Sequence, residues 1–439
     1  MYKPWGKVAI VLLSAAQIAG CGGGGKQPDA TGGKDAPIST EPITLRVLQT
    51  NAAIADLEFQ KFFVEPVKKK FPNITMELVR TSKDVTVEKL ITSGELPDIL
   101  LASTTGVIPL QKLDAIEDLN PYIKKYGEDM NRFDPFTTEG LKGYSDKGET
   151  VAMPYAMNFS VLFYNKDLFD KFGVAYPKDG MTWDDAEAIA RKLTKNENGV
   201  PYRGLNPGGV DLMGFGLSLP YVDKKTNKAV LQTDQWRMVM EKALALYKIP
   251  GYVVDGKFLG GQGQGYFLKD RTWAMIGAWG DMIGSLEQYQ QEGNPINWDM
   301  VTLPNFKEAK GFVREGDFHM LHISRLSKHK DEAFRVLSHI ASDEVQTIIN
   351  KSGRLTVLKK TPEYQKSYGA DLQTIKGKNL NAIFGVAPNK LHPLTEYDGK
   401  ARGIINDAAT SVLLKNVDMN TALRTAQEQL EKYIQDQQK

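Results

Sequence analysis

The feature that most restricts how this chain can fold is the order in which its hydrophobic periods change. Leu45 and Val47 flank Arg46 in the two-residue alternation of a strand. Phe59, Phe62, Phe63 and Val67 then recur on one helix face, its course adjusted at Pro66. After the Phe71-Pro72-Asn73 break, Ile74, Met76 and Leu78 alternate again. Asp98-Ile99-Leu100-Leu101 opens a further buried strand with a polar exit at Ser103-Thr104-Thr105. A strand–helix–strand order predicts the opening of a parallel α/β sheet, with structure beginning near Ile43.

The same grammar continues. Val161 to Tyr164 reads as an apolar strand, and Thr182 with Asp185 forms a capping box ahead of a helix burying Ile189, Ala190 and Leu193. Trp183, beside that cap, reads as a packing residue. A strand is expected at Trp273 to Ile276, a helix with Phe334, Leu337 and Ile340 inward, and a final amphipathic helix from Thr421 to Ile434. The 439 residues suffice for two ordinary domains, and 41% hydrophobic with 25% charged residues is a soluble globular composition.

The N-terminus reads as an address. Lys3 and Lys7 precede the apolar run Val8 to Ala16, which is too short to span a membrane and has the layout of a secretory signal. Removing those two lysines from 55 basic residues leaves 53 against 53 acidic ones, so the remaining chain lacks the charge excess of a nucleic-acid binder. Lys68, Lys69 and Lys70 read as solvated helix surface. Cys21 is the single cysteine, which excludes an intramolecular disulfide and a cysteine-based metal cluster. Ile18-Ala19-Gly20-Cys21 resembles the lipobox of bacterial lipoproteins, which implies cleavage before Cys21 and acylation of it. The Gly-rich stretch that follows cannot bury enough apolar surface to fold. Residues 1–20 are thus expected to be a signal peptide and 21–42 a flexible tether, spanning roughly 5–6 Å × √n.

Further along, Leu96-Pro97-Asp98-Ile99, Met153-Pro154-Tyr155, Leu162 to Phe169, Gly173, Pro177 and Thr182-Trp183-Asp184-Asp185 follow in order. Trp273-Ala274-Met275, Gly277-Ala278-Trp279, Leu303-Pro304 and Ser327-Lys328-His329-Lys330 come after them. From about residue 43 to the C-terminus this ordered set resembles the family 1 extracellular solute-binding proteins, which include maltose-binding protein. The stretch Gly316-Asp317-Phe318-His319-Met320 departs from the Gly-Gly that the family often carries there. The resemblance implies two discontinuous α/β lobes with a ligand cleft between them. Chain crossings are expected near Tyr155–Asn158, near Met320–Ser324 and around Thr374 to Pro388. One lobe would hold residues 43–155 plus 324–373, the other 156–323 plus 374–439.

It also implies an extracytoplasmic receptor, lipid-anchored to a bacterial cell membrane, that passes a saccharide to the membrane subunits of an ABC importer. A monomer is expected, without cofactor, metal or nucleic acid. Candidate ligand contacts are Thr50 and Asn51 after the first strand, Asp98, and Ser103 on the Pro-Asp strand, since short polar groups suit sugar hydroxyls. The same residue types also favour caps and turns. Trp279 is the sharpest candidate, an aromatic at a strand end beside the small Gly277 and Ala278, able to stack on a sugar ring, with a core packing role as the rival reading. Asp281 is read either as a ligand contact or as a helix cap, and Tyr155 and Tyr397 as aromatics at the first crossing and the late helix. Arg354 is read first as a surface arginine and otherwise as reaching into the cleft, and Gly261, Gly263 and Gly265 as a rim loop.

Enzyme motifs are missing from the sequence: no His-Glu-x-x-His, Gly-x-Ser-x-Gly or Walker A pattern occurs. His319 and His322 fall in an expected strand, where a helical metal pair cannot form. A secreted glycoside hydrolase stays open as an alternative, because its two carboxylates need not be near in sequence. So does a binding lipoprotein for signalling or for another small polar solute.

Overall fold

A computed structural model describes residues 41–259 and 264–438. The signal, Cys21 and the tether as far as residue 40 lie outside the described residues, as do Gly261 and Gly263; Gly265 opens the short helix Gly265–Leu268.

The first sheet is built from β1 (Ile43–Gln49), β2 (Ile74–Arg80) and β3 (Ile99–Ser103), joined by β4 (Met153–Asn158) and by β9 (Asp317–Ile323), in the order β2-β1-β3-β9-β4. β1 runs parallel to β2 and β3, as the opening pattern predicts, and β9 is antiparallel to both neighbours. Between β1 and β2 the chain is helical through Asp56–Phe59, Gln60–Val64 and Glu65–Lys70, the middle segment in π form. Pro66 has no N–H for the preceding turn, and the wider π turn absorbs that loss. Phe59, Phe62, Phe63 and Val67 are all buried beneath it, as their spacing requires.

The second sheet is antiparallel: β5 (Ser160–Asn165) lies between β6 (Met275–Trp279) and β7 (Trp298–Thr302). The helices Lys166–Phe172 and Asn381–Phe384 pack on β7, and the second lobe also carries Trp183–Leu193 with the Thr182–Asp185 capping box formed, Asp234–Tyr247 and the C-terminal pair Asp398–Lys415 and Met419–Gln437. Trp183 is core, 4% exposed. A short parallel pair, β8 (Phe312–Glu315) and β10 (Ala387–Asn389), borders this second layer.

The crossings fall at three places. The chain leaves β4 at Asn158 and enters β5 at Ser160, so residues 156–158 belong with the first sheet. The return comes at Gly316, between β8 and β9, and not at Met320–Ser324. Those residues are inside or directly after β9, where Met320 to Ile323 pair with β3 and Ser324 still bonds Asp98. The apolar run that looked like a hinge is a central strand, buried on both faces. The third passage lies at residues 371–374: the Asp371 amide donates to Lys351, whereas the Thr374 amide donates to Glu287, and Trp298 donates to the Thr374 hydroxyl. That is the start of the expected window.

Candidate functional site: a groove between the two lobes

The parallel strands point their C-terminal ends at the gap between the sheets, the usual place for a ligand in α/β folds. Here the gap holds three adjoining cavities. A central one of about 320 Å³ is lined from the first lobe by Asn51, Ser103, Asp317 and His319, and from the second by Trp279, Asp281, Glu315, His392 and Arg402. It shares Asn51, Thr105 and Arg402 with a second cavity of about 510 Å³, and Ala53 and Asp281 with a third of about 590 Å³.

Four of the sequence candidates therefore meet in one place: Asn51, Ser103, Trp279 and Asp281. Asn51 is locked to the exit of β3. Its amide nitrogen donates to the Ser103 hydroxyl at 2.9 Å, and its oxygen accepts from the Ser103 amide at 2.9 Å. A Cβ on Gly106 would lie 2.3 Å from the Asn51 amide oxygen, so glycine there makes room for this lock. Trp279 is half-buried at the end of β6, paired with Ser160 where β5 begins. Behind its ring lies Arg314, 3% exposed, with its guanidinium 4.8 Å from the ring centroid and its Nε without a hydrogen-bond partner. Burial pushes the Arg314 pKa down to about 10. One face of the indole is thus occupied and the residue still lines the central cavity. Asp281 stands at the N-cap of the helix Met282–Gln291 but makes no capping bond, so the cap reading of this residue is not what the side chain does.

The other candidates sit elsewhere. Thr50 lines the second cavity, and its hydroxyl donates to the Leu101 carbonyl at 2.7 Å. Asp98 lies at the N-terminal end of β3, on the order of 15 Å from the ligand-facing end at ~3.3 Å per residue. It accepts from the Arg46 amide at 3.1 Å and the Ser327 hydroxyl at 2.6 Å, a structural clasp. Tyr155 is 2% exposed, edge-on to Phe63, and burial raises its phenol pKa. Tyr397 is buried against Tyr433 outside the groove lining. Arg354 lines the third cavity, as its cleft reading expected and its surface reading did not, and is buried and gripped by Glu58 through two bonds of 2.7 and 2.9 Å.

Sequence reasoning missed the second lobe's polar wall. His392 bonds Glu315 at 2.8 Å through Nδ1 and Asp398 at 3.1 Å through Nε2, with its ring stacked on Phe215. Two ionised carboxylates on two ring nitrogens make both nitrogens donors, which is the imidazolium form, although burial raises the Glu315 pKa against the pull of its bonds to His392. Burial works against that charge, but the bonds to Asp398 and Glu315 prevail and raise the His392 pKa to about 9. Arg402 is held by Asp211 through Nε at 2.8 Å, and Asn406 donates to the other oxygen of the same carboxylate. Apart from His392 and Asp398, these partners are 77 to 195 residues apart, so no local spacing could reveal them. The only available signal was Glu315-Gly316-Asp317, two carboxylates about a crossing glycine.

Two α/β lobes, three chain crossings and a polar groove holding one half-buried indole define a two-lobed solute-binding protein of the periplasmic-binding type. Residues 55–347 match the family described as bacterial extracellular solute-binding protein, and the chain belongs to that family. Among curated relatives, it is 30% identical over 139 residues to a binding protein of Brucella abortus (strain 2308), covering 30% of this chain and 32% of that one. It is 29% identical over 136 residues to the sn-glycerol-3-phosphate-binding periplasmic protein UgpB of Escherichia coli (strain K12), covering 30% and 31%. The chain thus matches about a third of the length of these relatives. Similar solved structures include an ABC substrate-binding protein of Listeria monocytogenes in complex with cycloalternan, with TM-score 0.72 and 20% identity over 90% of this chain and 99% of that one. The sugar-binding protein MalE of Xanthomonas citri gives TM-score 0.67 and 17% identity over 90% and 98%. A Thermotoga lettingae solute-binding protein bound with alpha-D-tagatose gives 0.66 and 17% over 90% and 100%.

Proposed function

We propose that this protein is the extracytoplasmic receptor of an ABC importer, capturing a saccharide between its lobes and handing it to the membrane subunits. The observation that carries the reading is Trp279, an indole backed by Arg314 and lining a cavity whose other walls are hydroxyl, amide and carboxylate groups. An apolar face beside convergent polar groups suits a sugar ring, whose C–H faces stack while its hydroxyls donate and accept. Sugars named for the similar structures, cycloalternan and tagatose, support the same reading. No described helix is long and apolar enough to cross a membrane. Membrane attachment therefore rests on the lipobox-like residues ending at Cys21, and several acyl chains would make that anchor durable where one would not.

The test is a thermal-shift screen of the purified protein against a panel of neutral mono- and oligosaccharides, with each hit recovered and analysed. A receptor returns its ligand intact, and a glycoside hydrolase returns products. No stabilisation by any saccharide would refute the reading. For the anchor, a Cys21→Ala variant is expected in the soluble fraction; a variant as membrane-bound as the parent places the anchor elsewhere. The match to UgpB supports a second reading, a receptor for a polyol phosphate.

A further inference from the structure

The charged groups around the groove distinguish these ligand classes. Four long basic side chains line the three cavities among the described residues: Lys61, Arg80, Arg354 and Arg402. Each is already held by a carboxylate of the protein. Arg402 is paired with Asp211 at 2.8 Å, Arg354 with Glu58 at 2.7 Å, Lys61 with Asp371 at 2.7 Å and Arg80 with Asp56 at 2.6 Å. The imidazolium of His392 is shared between Glu315 and Asp398. Among the described residues Arg314 pairs with no carboxylate; it lies behind the Trp279 ring and, with Lys360, lines a small cleft of about 20 Å³ that shares Asn158, Glu315 and Gly316 with the central cavity and has room for about one water, not a phosphate.

Asp281 and Asp317 form no ion pair with a lysine or arginine among the described residues, although Asp281 is attracted to Arg354 and Asp317 to Arg402 at longer range. Asp281 lines both the central and the third cavity and is not engaged as a helix cap. Asp317 accepts from the Thr104 amide through one oxygen, and its other oxygen is 3.6 Å from His319 Nε2. A phosphate or carboxylate entering beside Arg354 or Arg402 would have to displace a mostly buried carboxylate partner or lie beside Asp281 and Asp317, whereas the Lys61–Asp371 and Arg80–Asp56 pairs are exposed and screened by water. Breaking such a pair leaves a buried charge uncompensated, and like charges repel most strongly where water is excluded. Hydroxyl groups meet neither obstacle, because a carboxylate accepts their hydrogen bonds.

We infer that the groove selects uncharged saccharides and turns away phosphorylated or acidic ones, with Asp211 and Glu58 neutralising its arginines and Asp281 and Asp317 repelling anions. The inference rests on the saccharide reading above. The experiment is calorimetry of the purified protein at low ionic strength, where surface charge is least screened. Matched probes are glucose with glucose 6-phosphate, galactose and its trimer with galacturonate and trigalacturonate, maltotriose, mannotriose and sn-glycerol 3-phosphate. The expected result is binding of at least one neutral sugar, with every anionic probe at least about tenfold weaker than the best neutral one. An anionic probe that binds as tightly as the best neutral sugar overturns the charge selection while leaving a saccharide or polyol-phosphate receptor in place. A blank across all probes removes the saccharide reading and this inference with it. An Asp211→Asn variant, which frees Arg402, should raise the affinity of the best anionic probe relative to that of the best neutral sugar by about tenfold. If that variant folds, with a melting temperature near the parent's, and shows no such gain, Arg402 is not the masked cation. The wild-type panel decides the charge selection even where the variant is unstable.

Discussion

Replacing Trp279 by alanine is the most direct probe of the groove, because the structure separates what the indole does for the ligand from what it does for the fold. A Trp side chain can bury 150–250 Å², and Arg314 covers one face of this one. The face left for a ligand is on the order of 100 Å², which at roughly 25 cal/mol per Å² is about 2.5 kcal/mol, or some seventyfold in Kd. The fold loses less. Trp279 is half-buried, and its stacking on the Arg314 guanidinium is worth about 1 kcal/mol. Trp279→Ala should therefore show a small drop in ligand-free melting temperature with a large loss of affinity by calorimetry, using the tightest sugar from the screen. Trp183→Ala is the control. That residue is 4% exposed at the start of the helix Trp183–Leu193, and its loss should cost about 3–5 kcal/mol of stability, while molecules that stay folded bind normally. Parent-like binding by Trp279→Ala would show that no sugar face rests on this indole.

Asp98→Ala should lower stability by about 1–3 kcal/mol in urea unfolding, since it orphans the Arg46 amide and the Ser327 hydroxyl, and leave affinity unchanged; weaker binding would return Asp98 to the site. His392 has a folded-state pKa raised to about 9, so its stabilising contribution is full below about pH 6.5 and is lost as pH rises through about 9. The two pKa values correspond to roughly 3 kcal/mol at most, and a His392→Gln variant should flatten the loss of stability between pH 6.5 and 9.5. An unchanged slope would mean that His392 is not held as an imidazolium. A saccharide that bridges the lobes should favour the closed form and reduce the radius of gyration in small-angle scattering; no change at saturation would indicate a rigid receptor.

The first sheet was legible in the sequence because its signals are local. Alternation places Leu45, Val47, Ile74 and Met76 inward, and the turn at Phe71-Pro72-Asn73 joins the flanking elements. The Thr182–Asp185 box is likewise a contact between residues three apart. Asn51 could be placed at the groove because it follows a strand of the parallel set whose C-terminal end faces the gap, and Trp279 because the family resemblance puts an aromatic at that strand end. Asp98 and Ser103 show the limit of that argument. Both belong to one short polar-flanked strand, yet only its C-terminal end meets the second lobe. Met320 to Ile323 show another, because a buried central strand and a hinge look alike until a pairing partner such as β3 is known. Tertiary structure alone decided the electrostatics. Which carboxylate neutralises Arg402, Arg354 or His392 depends on side chains brought within about 3 Å from 6 to 296 residues away. Coulomb attraction follows distance in space, and sequence constrains that distance only within a strand or a helical turn.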